Sequence, residues 1–180
     1  MARVIRDAST SDAPAIAAIY APIVQDTVIS FELEPPGPDE FMRRIEKTLA
    51  KTPWLVCEEK GVLAGYAYAS EHRERKAYQW SVEVSVYVAA AFRGKGVGRE
   101  LYLELFSILR KLGYVNAYAG VTLPNPASVG LHESLGFTPV GVYRNIGYKS
   151  GAWHDVGWWQ LALTEHSRDP RPPTPYRSNE

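Results

Sequence analysis

A turn with glycine at alternate positions stands between a strand-like and a helix-like segment of this chain. Glycines let the backbone point N–H groups outward and let a ligand approach closely. The N-terminus of the following helix attracts an anion, and two basic side chains add positive charge. Together these features suit a diphosphate. The turn consists of Arg93, Gly94, Lys95, Gly96, Val97 and Gly98.

Two common nucleotide motifs do not fit this turn. The Gly94-Lys95 pair lacks the following Ser or Thr of a Walker loop. The spacing also differs from a dinucleotide fingerprint, and no acidic residue ends the next strand to hold a ribose. A plain mobile loop and a plain nucleotide-binding protein stay open as alternatives.

The elements on either side must position this turn. Ser81 to Val88 alternates valines with other residues, a period of two that predicts a strand with Glu83 on its polar face. Leu101 to Leu112 has apolar residues spaced by three and four, which predicts an amphipathic helix ending at Gly113.

Similar patterns along the chain predict an α/β fold with a mixed, mostly antiparallel sheet flanked by helices. One strand–helix–strand crossover at the glycine turn should give a parallel pair. We expect a single domain over residues 1–164. Prolines crowd residues 165–180, which predicts a disordered or extended tail.

The composition excludes several partners. The 180 residues include 20 Lys plus Arg and 20 Asp plus Glu, so the net charge of zero argues against nucleic acid. No apolar run reaches the ~18 residues of a membrane span, and residues 1–6 do not resemble a secretory signal. We therefore expect a cytoplasmic protein. His154 and Asp155 are adjacent in a predicted strand and face opposite ways, and no metal site is predicted.

A second motif runs from Asn125 through His132 to Gly136-Phe137. Asn before Pro126 predicts a helix start, with Asn as N-cap. An Arg-Gly-x-Gly-x-Gly turn after a strand, followed by Asn-x-x-Ser-x-x-x-His-Glu-x-x-Gly-Phe, resembles the GNAT superfamily of acyl-CoA-dependent N-acyltransferases. The resemblance implies that the diphosphate belongs to acetyl-CoA.

Further segments resemble the phosphinothricin N-acetyltransferases, among them Phe31-x-x-Glu-Pro and Gly151-x-Trp-His-Asp155. The similarity covers most of residues 3–164. It implies a homodimer that acetylates the α-amino group of phosphinothricin or methionine sulfoximine. Alternatives are another amine acceptor (an amino acid, a polyamine or a protein N-terminus) and a non-catalytic acyl-CoA sensor.

The catalytic candidates are Glu83 and His132. An α-ammonium must lose a proton before it attacks a thioester, and Glu83 is the expected base, directly or through a water. A solvent-facing or ion-paired strand carboxylate is the alternative. His132 stands where the superfamily usually has a Tyr that protonates the leaving thiolate. It can act as that acid, assist Glu83, or be structural.

The resemblance also implies the binding residues. Free amides between Val84 and Val86 would stabilise the oxyanion and hold pantetheine as an added strand. Asn125 would cap its helix and bind the same arm. The further cofactor-binding candidates are Val86, Tyr87, Val88 and Ser134.

An anionic acceptor needs cationic partners, and Arg73 and Arg75 with Tyr78 stand at the expected places. The alternative is a solvated charged loop. Phe31 is the candidate for an apolar lid, or else a core residue.

Overall fold

The structure is a computed structural model, and it describes residues 3–176. Seven strands and four α-helices make up these residues, with short 3₁₀ turns between some of them. In chain order they are β1 (Val4–Asp7), α1 (Ala13–Asp26), α2 (Pro38–Leu49), β2 (Trp54–Glu59), β3 (Val62–Glu71), β4 (Ser81–Val88), α3 (Val97–Leu112), β5 (Asn116–Leu123), α4 (Pro126–Ser134), β6 (Thr138–Lys149) and β7 (Ala152–Ala162).

The strands form one mixed sheet in the order β1-β2-β3-β4-β5-β7-β6. Within the described residues β4 and β5 are the parallel pair, and the other neighbours pair antiparallel. The predicted α/β class and its single parallel crossover through α3 are therefore confirmed. The position of β7 between β5 and β6 is a feature that the sequence patterns did not predict.

The alternation in β4 divides the sheet into two faces. Val82 and Val84 are buried against α3, whose inner side is formed by Leu101, Leu105 and Leu109. Burying each such side chain contributes roughly 1.5–3 kcal/mol. The intervening residues of β4, from Glu83 onward, therefore point to the opposite face.

An aromatic cluster fills part of that opposite face, beneath α1 and α2. Tyr20 meets Tyr87 edge-on with ring centroids 5.0 Å apart, and Trp54 stacks on Tyr68 at 4.4 Å. This packing fixes β3 and the end of β4 beneath the two helices.

The tail has no helix or strand in its described part, up to Tyr176. Its backbone nevertheless bonds to the domain: Thr174 N donates to Leu112 O at 2.9 Å, and Tyr176 N donates to Lys51 O at 3.0 Å. Trp80 Nε1 donates to Arg171 O at 2.8 Å. The tail is thus extended and attached, while the domain boundary at residue 164 stays a prediction. No helix among residues 3–176 is long and apolar enough to cross a membrane.

Candidate active site

The site begins where β4 and β5 separate. Their parallel pairing covers only Ser81–Glu83 and Asn116–Tyr118, so both strands continue unpaired with each other beyond it. A cavity of about 70 Å³ lies in this gap. Its wall includes Ile29, Val84, Ser85, Val86, Tyr87, Tyr102, Gly120, Val121, Thr122, Asn125, Ser128 and His132. The free edge of β4 offers unpaired backbone groups to an extended ligand.

The glycine turn lies at the end of β4 next to this gap. Gly94 and Gly96 have φ of 71° and 85°, the left-handed region that glycine adopts without strain. Gly96 is also the N-cap of α3, so the first amides of that helix have no partner within it. A Cβ on Gly98 would lie 3.3 Å from Leu131, which explains the small residue there.

The basic residues of the turn remain open to solvent. The Arg93 guanidinium donates through Nε to Val88 O at 3.2 Å, and Lys95 Nζ lies 5.7 Å from the centre of the Phe92 ring. Both residues are exposed, and no carboxylate partner is found for them in the described part of the chain. Their charge is therefore available to an anion beside the helix N-terminus.

Asn125 caps α4 as predicted. Its Oδ1 accepts a hydrogen bond from Ser128 N at 3.1 Å, and Pro126 occupies the first helical position. Because Oδ1 is committed to the cap, only the amide end of Asn125 can donate to a ligand in the cavity.

His132 is buried in α4 and makes two hydrogen bonds. Its Nδ1 lies 2.7 Å from Ser128 O, and its Nε2 lies 3.1 Å from the hydroxyl of Tyr102. A carbonyl only accepts, so Nδ1 carries the proton and Nε2 accepts from Tyr102. Burial lowers the pKa of His132, against the opposing effect of the Ser128 bond. Burial raises the pKa of Tyr102. These shifts favour the neutral forms of both the His132 imidazole and the Tyr102 hydroxyl.

Tyr102 is a site residue that sequence reasoning missed. It lies on the buried side of α3 and stacks on Phe106 with centroids 5.1 Å apart. The only signal was a tyrosine on the inner side of the helix, one turn after the glycines. That position alone does not reveal the contact with α4.

Glu83 belongs to the last paired position before β4 and β5 separate, and it is bonded to His72. The distance from His72 Nδ1 to Glu83 Oε1 is 2.9 Å. Glu83 and His132 are not in hydrogen-bond contact, although both were predicted to act on the same reaction. His72 follows β3 directly and was not among the predicted site residues.

The predicted substrate residues do not form one contact cluster among the described residues. Arg73 and Arg75 are exposed, and no described carboxylate pairs with them. Tyr78 is 43% exposed and meets the His72 ring edge-on at 6.0 Å. Phe31 packs over Gly147 and lies 6.3 Å from the His154 ring, so it leans on the β6–β7 hairpin.

The predicted cofactor residues divide into two groups. Val86 and Tyr87 line the cavity, and Val88 follows them at the end of β4. Ser134 lies away from the wall of the cavity: its hydroxyl donates to Leu131 O at 2.8 Å, at the end of α4. No cluster of three or more metal-ligating side chains occurs among residues 3–176.

A larger cavity of about 600 Å³ lies between α2 and β3. Trp54, Tyr66 and Tyr68 form its floor, and Arg44 and Lys47 stand at its rim. It holds none of the predicted site residues. Several of the predicted site residues instead line the smaller gap between β4 and β5.

Comparison with known proteins agrees with this geometry. The family described as acetyltransferase (GNAT) domain matches residues 5–158. The chain belongs to this family and is an N-acetyltransferase.

Individual relatives cover nearly the whole chain. A phosphinothricin N-acetyltransferase of Streptomyces viridochromogenes is 40% identical over 173 residues, which covers 96% of this chain and 92% of that protein. An L-methionine sulfoximine/L-methionine sulfone acetyltransferase of Salmonella typhimurium is 38% identical over 164 residues, which covers 91% of this chain and 96% of that protein. A phosphinothricin acetyltransferase of Sinorhizobium meliloti, solved in complex with acetyl-CoA, superposes with a TM-score of 0.88 at 35% identity, covering 99% of this chain and 100% of that one. The resemblance drawn from the two motifs is confirmed.

Proposed function

We propose that this protein transfers the acetyl group of acetyl-CoA to the α-amino group of a small amino acid-like acceptor, of the phosphinothricin or methionine sulfoximine type. The observation that carries the proposal is the gap between β4 and β5, with Glu83 in the last strand pair before it and the glycine turn after the end of β4. The names of the relatives support the acceptor class, and the acetyl-CoA in a similar structure supports the donor.

The donor fits the free edge of β4. Pantetheine would lie along Val86 to Val88 as an added strand, with the diphosphate on residues 93–98. The Asn125 amide would donate to the same arm. An N–H between Val84 and Val86 would stabilise the oxyanion of the tetrahedral intermediate.

Glu83 would act as the base. Its carboxylate takes one proton from the acceptor ammonium, directly or through a water, and the neutral amine attacks the thioester carbonyl. The C–S bond then breaks and the thiolate leaves. The nitrogen loses its second proton as the amide forms, and the thiolate takes up one proton from solvent to give free CoA thiol.

Tyr102 would stabilise the leaving thiolate. Its hydroxyl lines the gap and is neutral because burial raises its pKa. The O–H can turn from His132 Nε2 toward the sulfur. His132 would act on the leaving thiolate only through Tyr102, because its Nδ1–H is donated to Ser128 O.

The acceptor's negative groups would meet Arg73 and Arg75. Both residues are exposed, and no carboxylate among the described residues pairs with either of them. Two free cations favour an anionic acceptor over a polyamine.

Release of free thiol tests the proposal. Incubation with acetyl-CoA and L-phosphinothricin or L-methionine sulfoximine should release one CoA thiol for each acetyl group transferred. Thiol release only with a different amine would reassign the acceptor. Binding of CoA without thiol release across a broad amine panel would indicate an acyl-CoA sensor instead.

A homodimer is part of the proposal. Strand β6 is the outer strand of the sheet, and its hairpin with β7 exposes apolar side chains: Val140, Val142, Ile146, Tyr148 and Trp153. Such a surface favours burial against a second copy. Sedimentation as a monomer at micromolar concentration would contradict this.

A further inference from the structure

His72 lies directly after β3, on the face of the sheet that carries Glu83. Ser70 pairs with Glu83 across β3 and β4. His72 comes two residues after Ser70, so its side chain points to the same face. Its Nδ1 lies 2.9 Å from Glu83 Oε1. Because an ionised carboxylate only accepts hydrogen bonds, Nδ1 carries the proton and donates it.

Three aromatic side chains from separate elements hold the His72 ring. It stacks on Tyr118 of β5 with centroids 4.8 Å apart and planes 19° apart. Tyr78 and Trp158 meet it edge-on, at 6.0 and 6.1 Å. The side chain is only 16% exposed, so the imidazole has little freedom to turn its Nδ1 away from the carboxylate.

We propose that His72 is a positioning residue for the base. Its Nδ1–H holds Oε1 of Glu83 and leaves Oε2 to take the proton of the acceptor ammonium. No bond to His72 is made or broken in this step. The inference rests on the proposed function, because Glu83 is a base only in that reaction.

The exposure of Glu83 is the reason that it needs such a partner. Its side chain is 36% exposed, and His72 is its hydrogen-bond partner among the described residues. An unanchored carboxylate on a strand would populate several rotamers. Fixing one oxygen holds the other in the geometry that proton transfer requires.

Two substitutions separate positioning from packing. His72→Asn keeps an N–H donor near the place of Nδ1 and removes the ring. His72→Phe keeps a ring for Tyr118 and removes the donor.

We expect kcat within roughly threefold of wild type for His72→Asn and at least about tenfold lower for His72→Phe, with KM for acetyl-CoA unchanged. The opposite order of activity, with His72→Phe near wild type and His72→Asn impaired, would show a packing role and overturn the proposal.

Imidazole nitrogen NMR of the free protein gives a readout without turnover. The His72 signal, identified by its loss in His72→Asn, should show the Nδ1–H tautomer and change in Glu83→Ala. An intact Nδ1–H bond with no thiol release from any amine would refute the proposed function, and the positioning role with it. Thiol release by wild type together with an unaffected His72→Phe would refute the positioning role alone.

Discussion

Two histidine pairs stand on opposite faces of the sheet, and they differ in burial. On the α3–α4 side, His132 is 3% exposed and bonds to Tyr102 and to a backbone carbonyl. On the other face His72 bonds to the carboxylate of Glu83, whose side chain is 36% exposed. Both histidines donate from Nδ1, but one acceptor is neutral and the other is charged.

This difference suits the two faces to different parts of the proposed reaction. Burial lowers the pKa of His132 and raises that of Tyr102, which favours the neutral form of both groups. The partly exposed Glu83 side chain could pass to solvent a proton taken from the amine. In the proposed reaction a proton would therefore leave on the open face, and the buried face would offer a hydroxyl to the leaving sulfur.

Removing the carboxylate from the open pair should have the largest effect. Glu83→Gln is nearly isosteric but cannot take a proton, so we expect kcat to fall by about 1000-fold, since general base catalysis typically contributes 10²–10⁴. Initial rates of thiol release at saturating substrates measure this. Glu74→Gln is the matched control, because Glu74 is exposed on the neighbouring loop. Equal rates for Glu83→Gln and wild type would remove Glu83 from the role of base.

Removing the hydroxyl from the buried pair should have a smaller effect. Tyr102→Phe removes the donor to the thiolate, and a hydrogen bond to a charged group contributes about 1.5–3 kcal/mol, or roughly 10-fold to 100-fold in kcat. It also leaves His132 Nε2 without its partner. Steady-state kinetics and urea unfolding together separate the two consequences.

Tyr114→Phe serves as the comparison for that variant, because Tyr114 is a half-buried tyrosine outside the β4–β5 gap. If kcat of Tyr102→Phe equals that of Tyr114→Phe, Tyr102 has no part in the reaction.

Local sequence patterns predicted the elements that would bind acetyl-CoA in the proposed function. The alternation of β4, the glycine turn and the inner side of α3 follow from residues close in sequence. The Asn125-Pro126 pair likewise marked the start of α4. Each of these features needs only a strand or helix period and one capping residue.

The hydrogen-bond partners of Glu83 and His132 could not be found in this way. His72 meets Glu83 only because β3 and β4 pair with Ser70 opposite Glu83, a register that residue periodicity does not contain. Tyr102 and His132 are 30 residues apart in the chain, and they meet only because the fold brings α3 next to α4. The place of β7 between β5 and β6 likewise depends on long-range pairing.

The smallest expected effect is on the pH dependence of stability, and it tests the neutrality of the buried pair. Because the pKa of His132 is lowered from 6.5 in the folded state, the unfolded chain binds more protons between the two values. The free energy of unfolding contributed by His132 is therefore complete above pH 6.5 and is lost as pH falls through the lowered pKa. Each unit by which the pKa is lowered corresponds to about 1.4 kcal/mol.

Urea unfolding of wild type and His132→Asn between pH 7.5 and 5 tests this expectation. The free energy of unfolding should fall less steeply with pH in the variant, whatever its absolute stability. His166→Asn, at an exposed histidine, should follow wild type. Parallel curves for wild type and His132→Asn would mean that burial does not hold His132 neutral, and the contrast between the two faces would then disappear.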